Sequence, residues 1–261
     1  GMVGLYNSWY KNYTQSRFHT FNDMAEWKQM DKFGHMWSAY AQGILNNELW
    51  RFTGIERKKR IWIAGLSGFT YQTIIEILDG YCSQWGWSWG DIAFNTAGSG
   101  AMLAQELAWN EQKIQIKWSF HRKAYPTTDL STRSNELFGK GDLERMLKDY
   151  NGQTYWTSFN FYSFMDKEQT KFPKWLSIAI GYGAEGMIGA RTNVILVDGK
   201  PVPQFPRYRQ YYLGLDFDLA RIQTKSRFLN GLFKVINIVR LPAPAVEFNH
   251  GRNTKFYWLY F

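Results

Sequence analysis

Hydrophobic and polar positions divide this chain near residue 115, with helical spacing before it and two-residue alternation after it. Residues 31–52 predict a helix that Gly54 stops. Residues 57–80 predict a second helix with two unusual faces. Gly65, Gly68, Phe69, Gln72, Glu76 and Asp79 share one, and Leu66, Thr70, Ile74, Ile77 and Leu78 share the other. A solvent-facing stripe normally carries Lys and Glu, so a stripe of Gly, Gln and acids predicts close packing on another helix with polar groups held inside. A third helix starts at Ser88, where Ser88-x-x-Asp91 has the spacing of an N-cap followed by an acidic third residue. Asp91, Asn95, Gly98, Met102 and Gln105 recur on one of its faces, and it ends between Trp109 and Gln112. Residues 1–30 hold aromatics without a clean period (Tyr6, Trp9, Tyr10, Tyr13, Phe18, Phe21, Trp27) and read as a short helix or an irregular arm.

Past residue 115, Gln115–Phe120, Tyr155–Phe164 and Trp175–Tyr182 predict strands, and Asp142–Tyr150 a short helix capped by Asp142. Val194–Val197 and Lys200–Val202 flank Asp198-Gly199, a tight-turn pair that signals a hairpin. Arg209–Leu219 alternates cleanly. Tyr211, Leu213, Leu215, Phe217 and Leu219 face one way and Gln210, Tyr212, Gly214, Asp216 and Asp218 the other, which predicts a half-buried strand. Phe228–Ile236 reads as an amphipathic helix after Ser226, and Val246–Phe248 with Phe256–Phe261 as a closing hairpin joined by 249–254. The fold expected is α+β: an N-terminal cluster of helices packed against a C-terminal antiparallel sheet or partial barrel. With no Pro- or Ser-rich linker between 1–115 and 116–261, one cooperative unit is expected.

Two stretches raise the question of a membrane. Ile61–Leu78 approaches the roughly 20 apolar residues of a span, with Glu76 its one formal charge, but its Gly, Ser, Thr and Gln weaken that reading. The terminal Tyr-Trp-Leu-Tyr-Phe resembles the aromatic last strand of outer-membrane barrels, although a closed barrel takes about eight strands and fewer are found here.

Composition narrows the classes. The 261 residues suffice for a large core, and 18% are aromatic, a load that suits large buried contacts or an interfacial belt. The net charge of +9 is scattered. Its one dense run, Glu56-Arg57-Lys58-Lys59-Arg60, reads as a solvated turn or a membrane-proximal flank, and no nucleic-acid motif accompanies it. Cys82 is the single cysteine, which excludes an intrachain disulfide and a cysteine-based metal site. Gly1 before Met2 reads as the scar of a removed tag, with any signal peptide or lipid-anchoring cysteine trimmed upstream.

Candidate chemistry lies in three polar motifs: Asp31-Lys32-x-Gly34-His35, Glu76-x-x-Asp79-Gly80, and Ser88-Trp89-Gly90-Asp91-x-x-x-Asn95-x-x-Gly98. Asp31 and His35 lie one turn apart, as do Asp91 and Asn95, so three helices packed through their small-residue faces would gather His35, Glu76, Asp79, Asp91 and Asn95. Such a group could hold a divalent cation or run acid–base chemistry with a carboxylate orienting the histidine. His35, Glu76, Asp79 and Asp91 are the catalytic candidates, and Asp31, Ser88 and Asn95 the binding candidates. Capping alone accounts for Ser88 and much of Asp91, and a buried polar junction between helices accounts for the set without any chemistry. No di-iron, His-Glu-x-x-His or Gly-x-Ser-x-Gly motif is present and no cofactor is implied. His121 sits in an aromatic-basic patch, and His19 and His250 read as loop residues.

These three motifs, in this order, resemble the YfiM-like family of predicted periplasmic lipoproteins and, more distantly, the helical VanZ-like membrane proteins. Lys148–Trp156 and Gly181-Tyr182-Gly183-Ala184 resemble the longer form of the YfiM-like group. The resemblance implies a Gram-negative envelope location, periplasm or outer membrane, and no established activity. The strand-rich second half departs from the VanZ-like pattern. The function expected is a non-enzymatic envelope protein that binds lipid or another envelope component. A hydrolase or transferase acting on a lipid or cell-wall compound, and an outer-membrane-embedded protein, are the alternatives.

Overall fold

The computed structural model describes residues 10, 13–166, 170–193, 196–197, 200–201, 206–249 and 253–261. Tyr6, Trp9, the Asp198-Gly199 turn and His250 lie outside them. The fold is α+β, with six α-helices and a six-stranded antiparallel sheet among the described residues. The chain forms two compact units, Gly1–Ala25 with Lys32–Asn110, and Glu26–Asp31 with Glu111–Phe261.

The first unit is built on α1 (Met30–Arg51), α2 (Arg57–Gly80) and α3 (Trp89–Trp109). Each boundary follows local chemistry. Gly54 takes a positive φ after α1, Ser88 caps α3 by accepting from Asp91 N at 3.2 Å, and Asn110 closes α3 in the left-handed conformation. The glycine-rich stripes are where backbones meet. A Cβ on Gly98 would sit 2.1 Å from the Met36 carbonyl oxygen, and one on Gly68 2.5 Å from that of Ala39. The buried residues of α2 are Arg60, Ile61, Ala64, Gly65, Gly68, Gln72, Glu76 and Gly80, so the polar stripe is the inner one. Its apolar counterpart, with Leu66, Ile74 and Ile77, is exposed. By length and composition alone α2 is apolar enough to cross a membrane.

The N-terminal arm is irregular. It runs beside the α2–α3 connection through Ser16 N to Tyr81 O (2.8 Å), His19 N to Gly80 O (2.9 Å) and Phe21 N to Trp87 O (2.9 Å). The dense basic run opens α2, and of its four cations Lys58 and Lys59 are exposed, while Arg57 donates to Asn110 Oδ1 at 2.7 Å and the buried Arg60 to Asn47 Oδ1 at 2.9 Å.

In the second unit the sheet has the order β1 (Ile114–Phe120), β2 (Gln153–Phe159), β3 (Leu176–Glu185), β6 (Tyr208–Phe217), β7 (Ala243–Phe248) and β8 (Lys255–Tyr260). The short pair β4 (Leu196–Val197) and β5 (Lys200–Pro201) lies apart from it. The ladder is open, yet it curls. Trp156 of β2, Tyr212 of β6 and Tyr260 of β8 meet ring to ring, with centroids 4.6–5.9 Å apart. The outer edge of β1 is bonded at Trp118 to Ile238 and Arg240, whose side chain in turn donates to Tyr260 O at 2.7 Å. Small residues permit the curl: a Cβ on Gly181 would lie 2.7 Å from the Trp156 ring.

The alternation read in Arg209–Leu219 is present, and the polar face is the buried one. Asp216 is 0% exposed and Gln210 and Tyr212 are buried, whereas Leu213 is 47% exposed and Tyr211 and Leu215 are exposed. Strand β3 repeats this, with Ser177 and Ala179 buried and Ile178 and Ile180 exposed. Polar groups are affordable inside because they are paired. Lys117 lies 2.7 Å from Asp216 Oδ2 and donates to Asn237 Oδ1 at 2.9 Å, and Ser158 donates to Asp216 Oδ2 at 2.6 Å.

Three helices complete this unit: α4 (Thr128–Phe138), α5 (Asp142–Lys148) and α6 (Arg227–Ile236). Helix α4, not foreseen in the sequence, is capped by Thr127 and buries Leu130, Ser134 and Phe138 at four-residue spacing. Gly141 rather than Asp142 is the N-cap of α5, and no side chain makes the capping bond. The segment Glu26–Asp31 carries three consecutive non-glycine residues at positive φ, Trp27, Lys28 and Gln29, a geometry that costs about 1–2 kcal/mol per residue. It is held by Trp27 N to Ala190 O (2.7 Å), Tyr182 Oη to Lys28 O, Arg209 to Gln29 Oε1 (2.7 Å) and Tyr150 Oη to Asp31 Oδ1 (2.7 Å).

Candidate functional site

The inner faces of α1, α2 and α3 each carry polar residues at one level of the helical unit, and there the side chains converge. His35 on α1 places Nε2 3.6 Å from Glu76 Oε1 on α2 and 3.7 Å from Asp91 Oδ1 on α3. Its other nitrogen, Nδ1, lies 3.2 Å from Asn95 Oδ1. Glu76 is 1% exposed, Asp91 and Asn95 are buried, and the His35 side chain retains 14% exposure.

Each carboxylate has one oxygen engaged by a donor. Glu76 Oε2 accepts from Ser88 N at 3.1 Å, which supplies the α3 N-cap amide with the acceptor that a capping box would take from its own third residue. Asp91 Oδ2 accepts from Lys32 Nζ at 2.8 Å, and the same ammonium lies 2.6 Å from Asp23 Oδ2. Ser88 Oγ has two roles, accepting from Asp91 N and donating to Asp23 Oδ1 at 2.7 Å. Burial raises the Glu76 carboxyl to about 8; His35 opposes the shift and Asp91 and Asp79 add to it.

The structure thus gathers His35, Glu76, Ser88, Asp91 and Asn95. Asp79, one turn beyond Glu76, accepts from Tyr10 Oη at 2.7 Å. Burial, reinforced by Asp79, raises the Tyr10 hydroxyl well above its ordinary range. Asp31 opens α1 and accepts from Tyr150, as described above. Of the other histidines, His19 lies in the arm with Nδ1 3.1 Å from Arg17 O, and His121 is packed edge-on against Tyr260.

Three participants were not singled out from the sequence. Lys32 lay in the first motif without a role, and its signal was a lysine between Met30, Phe33 and Met36, in a stretch with no other cation. Asp23 and Tyr10 sit in an aperiodic arm, where spacing says nothing about neighbours. Chemically, the arrangement offers an imidazole with its Nδ1 side on an amide oxygen and its Nε2 side toward two carboxylates, plus one buried ammonium.

No curated protein and no solved structure matches the chain. Residues 20–105, which carry all three polar motifs, match the family model described as predicted periplasmic lipoprotein (DUF2279).

Proposed function

We propose that this is an outer-membrane-associated envelope protein whose curled sheet turns its apolar face to lipid and keeps its polar face inside. The observation that carries this reading is the inverted polarity of β3 and β6. Ile180 is 56% exposed and Leu213 nearly as much, while the Lys117–Asp216 pair is fully buried. In water, exposing a row of Ile, Leu and Tyr while burying a salt bridge sacrifices hydrophobic stabilisation of about 25 cal/mol per Å² and adds a desolvation penalty. Where lipid covers the apolar face the same arrangement is favourable, because the exposed rows leave water while the polar groups stay paired within. Exposed aromatics at the sheet margins, Trp175, Phe248, Phe256 and Trp258, suit the headgroup boundary, and the ten-residue β3 and β6 have the length of a tilted spanning strand. The family's description as periplasmic lipoproteins fits an envelope location.

Fractionation of Gram-negative cells expressing the full-length protein tests this. Recovery in the outer-membrane fraction, resistant to carbonate extraction, supports it, and release into the soluble periplasm by carbonate overturns it. Leu213→Lys and Ile180→Lys, each placing a charge on the lipid face, should cut the membrane-resident fraction, since a midplane Lys costs about 2–4 kcal/mol on a lipid-facing strand. A second reading, a hydrolase or transferase acting on an envelope lipid or cell-wall compound, draws on the partly exposed His35 between Glu76 and Asp91.

A further inference from the structure

Helix α6 is held by its polar side and turns its apolar side outward. Asn230 accepts from Thr224 N at 2.7 Å and donates to Thr224 O at 2.9 Å. Asn237, two turns on at the C-cap, donates to Gln115 Oε1 at 2.7 Å and to Asp218 Oδ1 at 2.9 Å. Phe228 is 65% exposed, Leu229, Leu232 and Ile236 are exposed with it, and Gly231 is buried. A surface helix in water packs such an apolar stripe on the core. Charge marks the same segment. Residues 219–246 hold Arg221, Lys225, Arg227, Lys234 and Arg240 and no acid. Arg221 donates to Glu111 and Asp218, and Arg240 to the carbonyls of Tyr260 and Leu215. Lys225 and Arg227 are exposed at the helix N-terminus, where the helix dipole disfavours cations, so helix stability does not account for them.

We propose that α6 is an interfacial helix that lies in the headgroup layer of a leaflet containing anionic phospholipid. Phe228, Leu229, Leu232 and Ile236 enter the acyl boundary, and Lys225 and Arg227 meet the phosphates. An exposed apolar row beside cations has both parts that such a leaflet recognises, an apolar depth and an anionic layer above it. Its place in the fold agrees. Helix α6 follows β6 at the sheet margin where exposed Trp175 stacks on Phe217, centroids 5.6 Å apart, and tryptophan settles at the headgroup boundary. Docking of α6 rests on the membrane-associated reading for the presence of lipid, and it does not require the sheet itself to face hydrocarbon.

The test uses the full chain in a Cys82→Ser background, with Leu232→Cys or Ile180→Cys carrying an environment-sensitive fluorophore. Each labelled chain is mixed with vesicles of phosphatidylcholine alone or of equal parts phosphatidylcholine and phosphatidylglycerol. In the anionic vesicles the label at 232 should shift its emission to the blue and lose quenching by iodide. The ratio of docked to undocked label should fall about fivefold for each of Lys225→Gln and Arg227→Gln, and at least about tenfold for Phe228→Ser. These side chains are exposed, and circular dichroism confirms that each variant is folded. A label at 232 that stays aqueous in both vesicles overturns the proposal, and if 180 is then shielded the lipid-facing sheet stands without it. Shielding at 232 with 180 aqueous is the reverse: α6 docks and the lipid-facing sheet fails. Shielding of 232 before lipid is added, in a chain that light scattering finds dimeric, assigns the surface to a second copy and overturns the proposal. Shielding that neither charge variant weakens overturns it as well.

Discussion

Close approach of α1 and α3 is what brings His35 to Asn95 and Asp91, and two glycines of α3 test it. Alanine at Gly98 would place its Cβ 2.1 Å from Met36 O and 2.9 Å from Met36 C, on backbone that cannot rotate away. Relief requires the helices to part by on the order of 1 Å, an overpacking strain of about 1–3 kcal/mol. At Gly100, two residues on, a Cβ meets nothing within 4 Å. Both substitutions gain the same helix propensity of about 1 kcal/mol, so their difference isolates the strain. Gly100→Ala should stabilise the chain, and Gly98→Ala should fall about 1–3 kcal/mol below it. For a chain of this size that separates their melting temperatures by roughly 2–10 °C. Parallel thermal and urea unfolding followed by far-UV circular dichroism reads this directly. Equal stabilities would refute close packing at Gly98 and with it the positioning of His35, which adjoins Met36.

Lys117→Met should destabilise the sheet by about 3–5 kcal/mol, because it leaves Asp216 buried without its cation; a urea midpoint within error of the parent would contradict that. Burial holds the Glu76 carboxyl up at about 8, against 4.5 when unfolded, so the folded state keeps a proton that the unfolded chain releases. Its contribution is complete below about pH 4.5 and is lost as pH rises to about 8, at up to about 1.4 kcal/mol per pH unit. Unfolding across that window should show the slope, and Glu76→Gln should flatten it. Ser88→Ala removes the α3 cap and the Asp23 contact and should cost about 1–2 kcal/mol, measured by the same unfolding curves.

Much of the helical unit was legible in the sequence because its signals are local. Gly54, Ser88 and the four-residue spacing of Asp91 and Asn95 fix where helices start, stop and face, and a stripe of Gly, Gln and Glu marks an inner surface whatever surrounds the outer one. The strands were legible as alternation. Which face is buried was not, because Tyr211, Leu213 and Leu215 read the same whether they meet a core or lipid, and only the pairing of Asp216 with Lys117 across the sheet decides it. Helix α4 escaped because Leu130 and Phe138 are few apolar anchors in a polar segment. The Lys32–Asp23–Asp91 contacts join positions tens of residues apart, and no periodicity encodes such a meeting.

The inverted sheet is tested most directly by spin labels read in lipid. In a Cys82→Ser background, single cysteines replace Ile180 and Leu213 on the exposed face, and Lys59 as an aqueous reference. The labelled chains are reconstituted into phosphatidylethanolamine–phosphatidylglycerol vesicles and relaxation by oxygen is compared with that by a water-soluble nickel chelate. Labels at 180 and 213 should collide far more with oxygen than with nickel, and the label at 59 the reverse. Nickel accessibility at 180 and 213 equal to that at 59 would show that this face meets water, and the lipid-facing sheet would be wrong.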